Sequence, residues 1–333
     1  MSQEMERDSR VFVYGIGVPT FSKIFNTTRG LAEKFGRDRC FDTPICEDTM
    51  AGFGLGAAIR GLRPIHVHIR VDFMILATNQ LVNVISNYAY TTGGKFKVPL
   101  VMRAVIGRGW GQGAQHSKSL ISHFTHIPGL KVIAPTTPSD MKGMLIAAIR
   151  DENPVICLEH RWLYWAEEEV DEQPYETPLG VGRILLPGRD VTVVGISWMN
   201  VEARLAADIL KRRGVSVEIV DPRTLAPLDE NIIVESVKRT GRCIVADCDW
   251  IESGFSAELA ARISYRCFGQ LKAPVERIGF AHTPCPTVRE LESEFYPNAL
   301  TIVRRIESML GLEEADLSRE DFFSHERRFR GPF

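Results

Sequence analysis

Apolar and polar positions along the chain follow two periods, and the periods trade places in a regular order. Residues 10–15 (RVFVYG) form a short apolar run that predicts a buried strand, and residues 64–69 set Ile65, Val67 and Ile69 against His66 and His68, the two-residue period of a strand. Between them, small and apolar residues behind Glu47 predict a tightly packed helix ending near Gly61. Residues 73–90 carry Leu76, Leu81, Val84, Ile85 and Tyr88 at helical spacing. Residues 100–105 predict a strand that runs into GRGWGQGAQHSKS, and residues 131–134 predict another. Thr137-Pro138 is a cap and first-turn pair that opens a helix ending near Ile149. Residues 154–158 close the set. Strands separated by helices of this length predict a parallel sheet covered on both faces.

Residues 166–178 are acidic, contain Pro174 and Pro178 and lack periodic apolar positions, so they read as a linker. The pattern then restarts: strands at 190–197, 215–221, 243–247 and 274–280 alternate with helices at 201–213, around 231–238 and from Phe255 onward. The fold class is therefore α/β with two doubly wound domains, a larger one over residues 1–165 and a smaller one over 179–312. Residues 313–333 mix charge with aromatics as a tail that docks on a partner or frays.

Length changes this picture little: 333 residues suit two domains. A hydrophobic share of 44%, a charged share of 25% and a formal charge of -2 with scattered basic residues are those of a soluble protein without a nucleic-acid surface. The polar start MSQEMERDSR has no apolar core, and no apolar run approaches membrane-spanning length, which predicts a cytoplasmic chain. Seven cysteines without a CxxC pair indicate neither a disulfide framework nor a zinc site.

Candidate chemistry gathers in two places. Glu47, in FDTPICEDTMAGFGLGAAIRGLRP, is followed by Ala51, Gly52, Gly54, Gly56, Ala57 and Ala58, which leave little side chain and demand close backbone packing. An acid there faces a crowded, partly dry place where it can share a proton with a ring nitrogen. Alternatively, Glu47 and Asp48 merely supply charge to a helix N-terminus. The glycines at 52, 54 and 56 lack GxGxxG spacing and carry no dinucleotide signal. In the second place, Gly107, Gly109, Gly111 and Gly113 precede Gln115-His116-Ser117 and let the backbone approach a ligand closely, with His116 beyond the carboxyl end of a strand. A loop histidine is also a common surface hydrogen-bonder. His123 and His126 lack a carboxylate partner, so no transition metal is assigned.

FDTPICEDTMAGFGLGAAIRGLRP, GAQHSKS, HIPGLKVIAP, AAIRDENPVICLE and VDPRTLAPLDE occur in this order. Together they resemble the beta subunits of the thiamine-diphosphate-dependent 2-oxo acid dehydrogenases of pyruvate and branched-chain type, and more distantly the second half of transketolase. The likeness covers residues 6–312. It implies a pyrimidine-binding domain over residues 1–165 and a transketolase C-terminal-like domain over 179–312. It also gives Glu47 the role of hydrogen-bonding the cofactor's aminopyrimidine ring and promoting its imino tautomer. Phe73 matches an aromatic that packs on the pyrimidine, and His116 a histidine facing the reacting end of the cofactor, where it meets substrate. The IRDENP turn resembles the family's potassium loop, with ligands implied at Leu100, Ala148, Ile149, Asp151 and Asn153; an ordinary helix-end turn is the alternative.

Magnesium and diphosphate are bound in this family through GDG and a later pair of asparagines, and neither GDG nor NN occurs in this sequence. The resemblance therefore implies an alpha-type partner subunit that holds magnesium, an α2β2 heterotetramer, and an acyl group passed to a lipoyl acyltransferase core. Trp110, Phe73 and the small-residue helix are candidates for that interface. Two positions depart from the pattern. Gly15-Ile16-Gly17-Val18 stands where an acidic pair is usual, and Arg70 replaces an aromatic, where its guanidinium suits an anionic substrate group. A split transketolase-like transferase without a lipoyl core and a noncatalytic regulatory paralogue are the competing expectations.

Overall fold

The computed structural model describes residues 1–20, 25–107 and 111–322. Trp110 and residues 323–333 of the tail lie outside them. The described residues divide into two units, residues 1–107 with 118–179, and residues 111–117 with 180–322.

In the first unit the strands are Val11–Tyr14 (β1), Cys40–Phe41 (β2), Arg63–His68 (β3), Val101–Ile106 (β4), Lys131–Ile133 (β5) and Val155–His160 (β6). They lie in the order β5-β6-β4-β3-β1-β2, and the pairings are parallel. Register sorts their side chains by face. Val13 pairs with Ile65 and Ile65 with Val101, so these β-branched residues share one face and form a core with Met144, Leu145, Ala148 and Ile149 of the Pro138–Arg150 helix. Thr137 caps that helix by accepting from the Asp140 N–H at 3.2 Å, with Pro138 in its first turn, as the sequence predicts. The opposite face presents Tyr14, His66 and Met102 in register. There Tyr14 and His66 stack at 4.4 Å and His66 meets His68 at 4.0 Å between ring centroids.

The predicted helix over 73–90 is broken into a turn at Val71–Met74, a 3-10 turn at Ile75–Ala77, a π-helical stretch at Gln80–Ile85 and a turn at Tyr88–Thr91. The apolar spacing is right, but a π turn inserts a residue and rotates the face that follows. A helix at Ser2–Arg7 precedes β1, with Glu4 fully buried against Arg150 and Arg7.

The second unit contains Arg183–Leu186 (β7), Val191–Gly195 (β8), Val217–Asp221 (β9), the short strand Thr224–Ala226 (β10), Cys243–Trp250 (β11) and Glu276–Phe280 (β12). One sheet runs β12-β11-β8-β9-β7, parallel except for β7, which joins β9 antiparallel at the edge. The helix Met199–Lys211 buries Ala203, Ala206 and Leu210 and packs against Ala299–Leu310. Glu202 joins the two, accepting from Trp198 Nε1 at 2.9 Å and from the Ala299 N–H at 2.8 Å. The described part of the tail is docked rather than frayed: Leu317 and Phe322 are buried and Glu320 pairs with Arg212.

Candidate active site

Glu47 is the first residue of the Glu47–Ile59 helix, with Cys46 at its N-cap. Small residues let this helix lie close to the sheet. A Cβ built on Gly54 would stand 2.2 Å from the Tyr14 hydroxyl, and that hydroxyl donates to the Met50 carbonyl at 3.0 Å. Asp48 Oδ2 accepts from Gln80 Nε2 at 3.2 Å, which ties the helix start to the segment following Phe73. The neighbouring Glu47 carboxylate has no hydrogen-bond or ion-pair partner among the described residues, although the residue is only 8% exposed. Its oxygens are not sealed from solvent, so the carboxylate stays accessible to a ligand. Phe73, in the turn Val71–Met74, leaves 37% of its surface exposed.

Arg70 does not present its guanidinium to solvent. It is 2% exposed, donates to Asp72 Oδ2 at 3.3 Å, and also donates to the Gly107 carbonyl. The second Asp72 oxygen accepts from Lys118 Nζ at 3.1 Å. Arg161 is fully buried as well, with its guanidinium over the Phe25 ring at 4.8 Å. Burial, then the like charge of Arg70, pushes Arg161 down to about 10. Sequence reasoning missed these contacts because no local pattern joins residues 70, 107 and 118.

A second buried network also escaped it. Glu159 accepts from Arg103 Nε at 2.6 Å and Nη2 at 2.7 Å, and from the Tyr164 hydroxyl at 2.9 Å. Burial alone would push Arg103 down; the Glu159 charge and hydrogen bonds reverse this and hold it above its ordinary value. Arg103 and Glu159 sit in strands whose apolar neighbours mask the signal.

His116 belongs to the second unit. It follows a 3-10 turn at Gly113–Gln115 and is half-buried. Gly113 has φ +58 and a Cβ on it would meet Thr287 Oγ1 at 2.7 Å, so glycine is required by both backbone and space. The Ser117 carbonyl accepts from the Tyr296 hydroxyl at 2.7 Å. Ile16 lies in the turn after β1, where the Gly17 N–H donates to Asp42 Oδ1 at 2.8 Å, so an acid from beyond β2 caps that turn.

Four of the five implied potassium ligands already have protein donors. The Ile149 and Asp151 carbonyls accept from Arg63 Nη1 at 2.9 and 3.1 Å, the Leu100 carbonyl from the Val155 N–H at 2.9 Å, and the Ala148 carbonyl from the Asp151 N–H at 3.3 Å. Asp151 Oδ1 accepts from the Asn153 N–H and Nδ2, and Oδ2 from Lys131. No group of three or more His, Cys, Asp or Glu side chains is arranged for a metal among the described residues.

Comparison with known proteins follows the same division of the chain. The transketolase pyrimidine-binding domain matches residues 1–165 and the transketolase C-terminal domain matches residues 180–302. The acetoin:2,6-dichlorophenolindophenol oxidoreductase subunit beta of Cupriavidus necator is 40% identical over 91% of this chain and 92% of its own length. A pyruvate dehydrogenase E1 component subunit beta of Rickettsia bellii is 38% identical over 93% of this chain and 95% of its own. The 2-oxoisovalerate dehydrogenase subunit beta of Bacillus subtilis is 38% identical over 90% and 92%. Among solved structures, a split-gene transketolase in an inactive beta4 tetramer superposes with a TM-score of 0.75 at 22% identity, covering 94% of this chain and 95% of that one. These names share a beta-subunit role and differ in substrate.

Proposed function

Because this chain belongs to the beta-subunit family of the thiamine-diphosphate-dependent 2-oxo acid dehydrogenases, we propose that it supplies the pyrimidine-facing half of a composite active site, with Glu47 as the proton partner of the aminopyrimidine. The observation that carries this reading is the Glu47 carboxylate, on a residue 8% exposed and without a partner among the described residues, at the first turn of a close-packed helix. When bound, thiamine diphosphate supplies a nucleophilic carbon and an electron sink for cleavage beside a carbonyl. Glu47 holds one proton at a ring nitrogen, and Phe73 offers its exposed ring to the pyrimidine. His116 holds or moves a proton at the substrate.

Magnesium and the diphosphate fall to an alpha-type subunit, since GDG and NN are absent from the sequence. We assign the pair to an α2β2 heterotetramer that decarboxylates a 2-oxo acid and passes the acyl group to a lipoyl acyltransferase core. A cytoplasmic location agrees with seven free cysteines, and no helix among the described residues is long and apolar enough to cross a membrane. For potassium, the hard oxygen donors at Leu100, Ala148, Ile149, Asp151 and Asn153 are right in kind. The Arg63 guanidinium already places a positive charge at two of those carbonyls, so no step is assigned to the ion.

Co-expression with the alpha-type subunit tests the assignment. Lipoyl-dependent reduction driven by a 2-oxo acid is the expected result. Carbon transfer to an aldehyde without a lipoyl acceptor would replace it with a transketolase-like transferase, and inertness with every acceptor would leave a noncatalytic subunit.

A further inference from the structure

At the carboxyl ends of β3 and β4, four contacts form a closed ring. The Arg70 guanidinium donates to Asp72 Oδ2 at 3.3 Å and, through Nη2, to the Gly107 carbonyl. Asp72 Oδ1 accepts from Lys118 Nζ at 3.1 Å, and the Gly107 N–H donates to the Lys118 carbonyl at 3.3 Å. The ring therefore runs from Gly107 to Arg70, Asp72, Lys118 and back. Its two backbone members, Gly107 and Lys118, are the ends of the segment that contains His116.

The ring is built to be stiff. The Arg70 and Asp72 side chains are each 2% exposed, so removing either partner would strand a buried charge. Arg161 adds a second buried guanidinium whose like charge repels that of Arg70, which increases the need for the Asp72 carboxylate. Gly107 has φ +79, and a Cβ there would stand 2.3 Å from His160 Nε2, so glycine is required at this end of the ring. Lys118 is the partly exposed member, with 29% of its side chain accessible.

We propose that this ring fixes the separation of the two ends of residues 107–118 and thereby positions His116, which makes Arg70 and Asp72 positioning residues for the step that His116 serves. The proposal rests on the reading of His116 as the residue facing substrate. It gives Arg70 a role inside the protein in place of a substrate contact.

Two measurements separate the ring from the reading beneath it. In the full-length chain, Asp72→Asn should raise amide hydrogen exchange across residues 111–118 about tenfold or more while the Glu47–Ile59 helix keeps its protection. Lys118→Met should reproduce that pattern even where Asp72→Asn fails to fold. Exchange across 111–118 that stays unchanged in a folded variant overturns the proposal. In the complex with the alpha-type subunit, Asp72→Asn should lower kcat about tenfold to a hundredfold without changing the KM for thiamine diphosphate. Combined with His116→Ala, it should cost nothing beyond His116→Ala alone. Losses that multiply would mean the ring acts on something other than His116, and they overturn the proposal. Full activity of His116→Ala would remove the reading of His116 and this proposal with it, while the exchange measurement reports on the ring by itself.

Discussion

The two units position their candidate residues by opposite means. Glu47 stands on a regular helix of 13 residues, and its place along the chain follows from that helix and the small residues that seat it. His116 follows a single 3-10 turn, and the backbone beside it is held by Tyr296, 179 positions away. A helix orients its residues through its own backbone hydrogen bonds, whereas an irregular segment must take its order from distant contacts. Each unit also buries a pair of titratable groups of opposite kind: the first the imidazoles His66 and His68, the second the carboxyls Asp247 and Asp249.

The largest effect should fall on the helical acid. Glu47→Gln should slow proton exchange at the reactive carbon of bound thiamine diphosphate by about a hundredfold to ten-thousandfold, with the melting temperature unchanged. Unchanged exchange would remove Glu47 from its role and with it the functional half of the comparison.

Next in size is an opposite response of the units to pH. Burial, and for His66 the neighbouring His68, pushes both imidazoles down, His68 to about 3. Below pH 6.5 the folded state therefore binds fewer protons than the unfolded one. Their contribution is complete above that pH and is lost as pH falls, by up to about 1.4 kcal/mol per pH unit for each group. Asp247 behaves in reverse, because burial and then the Asp249 charge hold its carboxyl well above the usual range. It keeps a proton that the unfolded chain loses above pH 3.8, so its contribution is complete below that pH and declines as pH rises. Exchange protection, corrected for intrinsic rates, should weaken in β3 on acidification and in β11 toward alkaline pH. His68→Phe should blunt the first trend alone; parallel trends in both units would contradict the contrast.

Gly54→Val tests how the helix is seated. The added carbons would collide with the Tyr14 hydroxyl, and overpacking of this kind costs about 1–3 kcal/mol, to be read from denaturant unfolding. The smallest change is Tyr296→Phe. It should cost about 1 kcal/mol for the lost hydrogen bond to Ser117 and should raise exchange over residues 111–117, leaving the Glu47–Ile59 helix protected. An effect on the helix instead would erase the distinction between locally and distantly ordered residues.

Much of this organisation was legible in the chain. The alternation of periods predicted two α/β units, the small residues behind Glu47 predicted a close-packed helix, and Thr137-Pro138 predicted the start of another. Some missed elements had signals of their own. Asn298 forms a capping box with Thr301 and Gly311 ends the same helix in the left-handed region, so Ala299–Leu310 was readable from its ends. The antiparallel edge strand β7 was harder, because a four-residue stretch with half-exposed positions carries little periodicity.

By itself, the sequence determined what depends on near neighbours: the periods, the caps, the glycine turns, the family and the identity of the acid at the helix start. Tertiary structure alone decided which charges meet. Arg70 reaches Gly107 across 37 positions, Asp72 reaches Lys118 across 46, and Arg103 reaches Glu159 across 56. Parallel strands separated by helices bring such residues side by side at the sheet's carboxyl edge and interior, and no local pattern records the pairing. The physical reason is desolvation, since a buried charge must find its partner wherever the fold delivers one.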